Sequence, residues 1–276
     1  MYQDTINHFG EYAEKKVALL KSNPAALFIG AMMAGVYVGL GIILILSVGG
    51  VAEHSYQKLV MGLSFGVALT LVVFAGAELF TGYTMYMMFG WLQRRLCWRH
   101  ILSVWAVVWL GNLAGAVLLV GLFYAGGGGN LAGEAAPLLH KIAEYKMNST
   151  PFALLAKGAL CNWLVCLSLW MSARTRSDAA KAIAIFWALF TFISSGYEHS
   201  VANMTLLSLS LVFDHPDSIS LVGMLNNLFW VTLGNTIGGS IFMGLGYWHY
   251  SAKKCPVFEK DKKVVACCDE EPQAVN

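Results

Sequence analysis

Six stretches of this chain carry at most one charged side chain each. Pro24 to Ala52, Ile101 to Gly133 and Ser218 to Ala252 carry none, while Leu59 to Gln93, Met147 to Ala173 and Ala182 to Phe213 carry only Glu78, Lys157 and Glu198. Every stretch exceeds the roughly 20 residues that a helix needs to cross a hydrocarbon core. Barrel strands are about 10 residues of alternating polarity, so runs this long and unalternating exclude them. The chain reads as an all-α membrane protein with six transmembrane helices. Its 12% of charged residues, against roughly 25% in soluble domains, points the same way. A net charge of +2 over 276 residues leaves no basic field that would hold nucleic acid.

Basic residues set the orientation, because short cytoplasmic loops collect Lys and Arg. One side holds Lys15, Lys16, Lys21, Arg94, Arg95, Arg99, Arg174, Arg176, Lys181 and the five lysines after Tyr250; the other holds Lys58, Lys141 and Lys146. Both termini are therefore expected in the cytoplasm, as an even number of crossings requires. Residues 1–23 form a polar cytoplasmic segment too hydrophilic for a signal peptide, 24–250 the transmembrane domain, and 251–276 a charge-balanced tail expected to be disordered. Cys267 and Cys268 in that tail, with Cys97 and Cys255, fall on the reducing side. Cys161 and Cys166 share one span and read as small packing residues, so no disulfide framework or metal site is expected.

The second and fifth runs carry matching interruptions near their centres, Gly76-Ala77-Glu78 and Gly196-Tyr197-Glu198, each followed in the next run by Gly-Asn, at Gly111-Asn112 and Gly234-Asn235. Spans one to three and four to six thus look like copies. With three crossings per copy, the second copy enters from the opposite face, giving a 3+3 inverted repeat. Glycine and acid together suggest helices broken at the midplane, since a carboxylate there costs at least about 2.5 kcal/mol without compensation. At the start of the following half-helix it could accept from freed backbone N–H groups. Irregular backbone at this depth must be buried or line a polar cavity, which Thr81 and Asn203, just beyond the breaks, would face.

A structural role, tying helices together, suits Glu78 and Glu198 better than contact with a solute. His199 differs: it is the one histidine in the interior of a span, and it adjoins a break. An imidazole there can carry a proton near neutral pH.

The strings Gly76-Ala77-Glu78-Leu79-Phe80-Thr81-Gly82, Lys157-Gly158-Ala159-Leu160-Cys161-Asn162-Trp163, Gly196-Tyr197-Glu198-His199-Ser200-Val201-Ala202-Asn203-Met204 and Gly234-Asn235 resemble the formate/nitrite transporter family. The likeness runs from about Thr5 to Tyr250, and the stretch Gly158-Ala159-Leu160-Cys161-Asn162-Trp163-Leu164-Val165-Cys166-Leu167 with Gly244-Leu245-Gly246-Tyr247-Trp248 looks most like the nitrite branch. The resemblance implies an aquaporin-like outline, a homopentamer in the bacterial inner membrane with one pore per protomer, and no cofactor. It implies that Thr81 faces the central His199, that Asn162 is a pore asparagine, and that Lys146 attracts anions at the outer vestibule. It further implies apolar constrictions at Phe65 and Leu69 on one side of the histidine and Leu79 on the other, with Phe192 contributing. Spacing alone would leave these four as packing residues. Lys146 is expected in a loop, free to join the vestibule; Lys157, two turns into its span, could snorkel outward.

A bare anion meeting an apolar constriction faces a prohibitive desolvation cost, which neutralisation removes. The expected solute is nitrite, with formate or hydrosulfide as alternatives, given a proton or strong hydrogen bond by His199 bridged to Thr81 and Asn162. An electron carrier would need paired axial ligands, and one interior histidine is too few. An intramembrane hydrolase would need a nucleophile facing its base, whereas Ser200 adjoins His199 and consecutive helical residues do not face each other. The paired Asn-Pro-Ala signatures of water channels are absent. The chain is accordingly not read as an enzyme.

Overall fold

A computed structural model describes residues 2–251, which are helical throughout with no strand. Eleven α-helices follow one another: α1 (Gln3–Ser22), α2 (Pro24–Val51), α3 (Gln57–Ala75), α4 (Phe80–Leu92), α5 (Trp98–Ala125), α6 (Ala136–Met147), α7 (Pro151–Ala173), α8 (Asp178–Ser194), α9 (Ser200–Val212), α10 (Leu221–Ile237) and α11 (Gly246–Ser251). A short 3-10 turn (Gly129–Ala132) precedes α6, and a π-helical stretch (Gly238–Leu245) joins α10 to α11. Cys255, Cys267 and Cys268 and the tail from residue 252 onward lie outside the described residues.

Local chemistry fixes where these helices start. Pro24 and Pro151 open α2 and α7, where a missing N–H costs nothing, behind Asn23 and Thr150, whose side chains accept from Ala26 and Ala153 N–H at 3.1 and 3.4 Å. Ser177 and Ser220 cap α8 and α10 in the same way. Gly76 and Gly196 end α3 and α8 in the left-handed region, at φ 78° and 70°, a conformation that carries a Cβ penalty in any other residue.

Among the described residues, five helical stretches are long and apolar enough to cross a membrane: α2, α3, α5, α7 and the continuous Leu221–Ser251. The fifth uncharged run yields none of sufficient length, because its interruption divides it into α8, of 17 residues, and α9, of 13. Nineteen residues at 1.5 Å each make α3 about 28 Å long before the chain turns at an exposed Gly76 and continues as α4.

Lipid tails are as apolar as leucine, so helix association here rests on close packing rather than on water exclusion. Small residues supply it. A Cβ on Gly115 of α5 would stand 1.9 Å from the Met32 carbonyl oxygen of α2, and one on Gly238 would stand 2.2 Å from the Ala159 carbonyl oxygen of α7. Large apolar side chains such as Leu122, Trp187 and Phe229 stay on the outside.

The opening segment is more structured than its polarity suggests. Within α1, Ile6, Phe9, Gly10, Ala13 and Val17 share one buried face. Gln93 donates to the Ile6 carbonyl at 3.0 Å and Arg95 pairs with Glu14 at 2.9 Å, holding α1 against the loop after α4.

Candidate functional site

The two Gly-x-Glu turns are held by the same set of bonds. Glu78 N–H donates to the Gly30 carbonyl of α2, and Glu198 N–H to the Lys157 carbonyl of α7. Asn112, on α5, accepts from Phe80 N–H at 2.9 Å and donates to the carbonyls of Ala31 and Glu78 at 2.8 and 2.9 Å. Asn235, on α10, accepts from Ser200 N–H at 2.8 Å and donates to the carbonyls of Gly158 and Glu198 at 2.8 and 2.9 Å. Each amide therefore satisfies the two backbone groups that its turn would otherwise strand and adds a bond to a carbonyl of the neighbouring α2 or α7.

This corrects one expectation. The orphan N–H at the start of α4 and of α9 is taken by an asparagine from the neighbouring helix, not by the acid. The carboxylates turn to cations instead. Glu78 accepts from Lys16 and from the hydroxyls of Tyr12 and Tyr83, at 3.1 and 2.6 Å for the tyrosines. Burial, then the carboxylate beside it, pushes the Tyr12 hydroxyl upward in pKa, which keeps its proton in place to donate. Glu198 accepts from Lys146 at 2.7 Å and from Asn203 Nδ2 at 2.7 Å, and Asn203 Nδ2 also reaches Asn227 Oδ1 at 2.8 Å.

Lys146 is thus not a free loop residue. It lies in the last turn of α6, its side chain is 13% exposed, and one of its three N–H donors goes to Glu198. Nor does Asn203 stand with the histidine; its amide belongs to the Glu198 pair. Lys157 reaches back to Tyr145, donating to its hydroxyl at 2.6 Å with the ammonium 4.6 Å from the ring centre.

His199 caps α9, and the cap assigns its tautomer. Its Nδ1 lies 3.1 Å from Ala202 N, a group that can only donate, so Nδ1 accepts and the proton of the neutral ring sits on Nε2. Nε2 lies 3.0 Å from Thr81 Oγ1 at the start of α4. The imidazole therefore donates to Thr81, which leaves the threonine's own O–H hydrogen for another acceptor. Both residues are buried.

Asn162 does not touch the histidine. Its Nδ2 faces the Thr81 carbonyl at 3.1 Å, Thr84 Oγ1 at 2.8 Å and the Asn235 carbonyl at 2.6 Å. It braces the backbone behind Thr81, with Thr84 donating to the same carbonyl at 2.6 Å and Cys166 Sγ at 3.4 Å.

In front of His199 lies a small cavity of about 10 Å³, near the least volume that admits one water. Val38, Phe65, Ala68, Leu69, Leu79, Val165, Leu189 and Phe192 complete its wall. Phe192 lies over the imidazole, ring centres 6.0 Å apart, and meets Phe65 edge-on at 5.5 Å. The four apolar residues singled out in the sequence thus gather with His199 around one space. Ser200 points elsewhere, its hydroxyl buried without a protein partner. Among the described residues, no three His, Cys, Asp or Glu side chains stand together as a metal would need.

Lys16, Tyr12, Thr84 and Asn227 were not legible as parts of this arrangement. Lys16 had one available signal, since the repeat that places Lys146 before Glu198 calls for a cation before Glu78. For Thr84 and Asn227, only the fold supplies the contact.

A sequence profile of the family described as "Formate/nitrite transporter" matches residues 3–249. The "Nitrite transporter NirC" of Escherichia coli (strain K12) is 48% identical over 261 residues, which cover 94% of this chain and 97% of that protein. Among solved structures, one described as "FNT family ion channel" superposes with a TM-score of 0.88 at 47% identity, covering 91% of this chain and 100% of its own. Another, "Pentameric formate channel with formate bound", superposes at 0.74 with 30% identity, covering 84% of this chain and 99% of its own.

Proposed function

Because the chain belongs to the formate/nitrite transporter family, we propose that it carries nitrite across the bacterial inner membrane through a path that passes His199 and Thr81. The observation that carries this reading is that His199, the polar residue in the wall of an otherwise apolar cavity, lies 3.0 Å from Thr81. Identity of 48% to a nitrite transporter, against 30% to a formate channel, favours nitrite as the solute, with formate as a competitor of similar size and charge.

In this reading residues 24–250 form the transport domain. Six crossings make a 3+3 inverted repeat, and the second and fifth crossings are interrupted at the Gly-x-Glu turns. The matched asparagine bonds support that arrangement. Both termini face the cytoplasm, and five copies assemble as in the pentameric relative. No catalytic step is assigned: the residues hold and pass a solute.

The anion approaches Lys146, whose remaining N–H donors add to the pair with Glu198. It then meets the cavity, where Phe65, Leu69, Leu79 and Phe192 exclude water. Stripped of hydration there, it needs a donor, and the Thr81 hydroxyl, polarised by the proton on His199 Nε2, provides one. Asn162 and Thr84 keep the Thr81 backbone in place for this. Taking a second proton would oblige His199 Nδ1 to leave Ala202, so the geometry favours a hydrogen-bonded anion in the cavity over a fully formed imidazolium. A proton that departs with the solute makes transport proton-coupled; one that stays makes it channel-like.

The test is nitrite uptake into proteoliposomes. Exchange of His199→Phe, which keeps an aromatic ring against Phe192 but removes both nitrogens, should abolish uptake above that of empty vesicles. Uptake at the wild-type rate would remove His199 from the path.

A further inference from the structure

Leu79 and His199 occupy one backbone position twice over. Leu79 has φ −96° and ψ 121°, His199 φ −115° and ψ 117°, and each caps the helix that follows its Gly-x-Glu turn. In each case the next residue's N–H is held by the asparagine of the following helix. Both side chains reach the same cavity, whose wall includes the matching pairs Val38 with Val165 and Leu69 with Leu189. Of the three matched pairs, only 79 and 199 differ in kind, with hydrocarbon on one side and imidazole on the other.

The residues two places on differ as well. Thr81 takes the imidazole's hydrogen bond, whereas the corresponding place after His199 holds Val201. Each half of the chain thus supplies one cap and one receiver, but in mixed fashion: His199 with Thr81 is furnished, and Leu79 with Val201 is blank. Leu79 makes no side-chain cap to its helix, so the Gly82 N–H, which matches Ala202, is open to a histidine at 79.

The two halves present their acids to different lead-in helices, Glu78 to Lys16 of α1 and Glu198 to Lys146 of α6. A solute arriving past one acid meets the donor first, and a solute arriving past the other meets the hydrocarbon wall first. Such a path has unequal barriers in its two directions. Its equilibrium distribution is unaffected, but its initial one-way rates are not. We infer that Leu79 and Val201 are sidedness determinants: they form a blank copy of the His199–Thr81 pair, and the faster direction of flux follows whichever pair carries the imidazole. This rests on the transport reading above.

The experiment uses the full chain in proteoliposomes of uniform orientation, at one pH on both sides, comparing initial nitrite influx and efflux under equal and opposite saturating gradients. Wild type is expected to give an influx-to-efflux ratio different from one. The variant with all four exchanges, Leu79→His, Val201→Thr, His199→Leu and Thr81→Val, should retain flux with the ratio on the other side of one. Adding only Leu79→His and Val201→Thr to wild type should bring it to about one. A wild-type ratio of one overturns the inference. So does a folded fourfold variant that is inactive or keeps the wild-type ratio. If the fourfold variant does not fold, an unmoved ratio in the twofold variant overturns it. Failure of the transport reading shows separately, as wild-type flux when only His199→Leu and Thr81→Val are present.

Discussion

Single side chains at the two turns do very different work. Asn235 satisfies one backbone donor and two backbone carbonyls, all buried. Its exchange to Ala strands the Ser200 N–H and the Glu198 carbonyl at about 1–3 kcal/mol each, so the detergent-solubilised protein should lose at least about 2 kcal/mol of stability. Unchanged thermal unfolding would show that water replaces the amide. Lys146→Ala leaves the Glu198 carboxylate, 1% exposed, without its cation, and breaking a buried pair costs about 3–5 kcal/mol. Adding Glu198→Gln removes the stranded charge and should recover much of that loss. With stability restored, any rise in the half-saturating nitrite concentration reports the role of Lys146 in attracting anions. The roles of Asn112 and Asn235 were half legible in the sequence: Gly-Asn marked them, but a one-dimensional string cannot show that their amides, and not the nearby acids, cap the re-entering helices.

At the scale of helices, runs with at most one charge predicted α2, α5 and α7 to within four residues at their starts, because little in those runs competes with helix formation. Composition placed Gly76 at the centre of its run, and α3 ends there after 19 residues because that glycine takes the left-handed conformation, which ends a helix wherever it falls. α1 escaped notice because its polar residues outweigh its apolar stripe in any average. Close packing yields a sharp prediction. Gly115→Leu would drive a side chain into the Met32 carbonyl, which is backbone and cannot yield, so destabilisation should exceed the usual 1–3 kcal/mol of overpacking, as read by thermal unfolding. An ordinary unfolding temperature for that variant would mean that α2 and α5 can separate without loss.

For the molecule as a whole, the recurring strings carried the most information, because a repeat constrains many contacts at once. They pointed to paired turns and a central histidine, and the structure brings His199 and the four apolar residues to one cavity, with Thr81 bonded to the imidazole. Lys146, expected in an open loop because it falls between apolar runs, lies instead in the last turn of α6 beside Glu198. Assembly belongs to this scale too: the protein extracted in mild detergent should have the mass of five copies by native mass spectrometry, and a monomer or dimer would contradict the pentamer.

The most direct test of the central claim separates the two tasks of His199. Asparagine at 199 can still accept from Ala202 N–H and cap α9, but it lacks the reach to Thr81. A hydrogen bond to a charged group is worth about 1.5–3 kcal/mol, and about 1.4 kcal/mol is a factor of ten. His199→Asn should therefore unfold like wild type while its initial nitrite flux in proteoliposomes falls by about tenfold or more. Flux equal to wild type, in a protein equally stable, would contradict the claim that nitrite crosses at this pair.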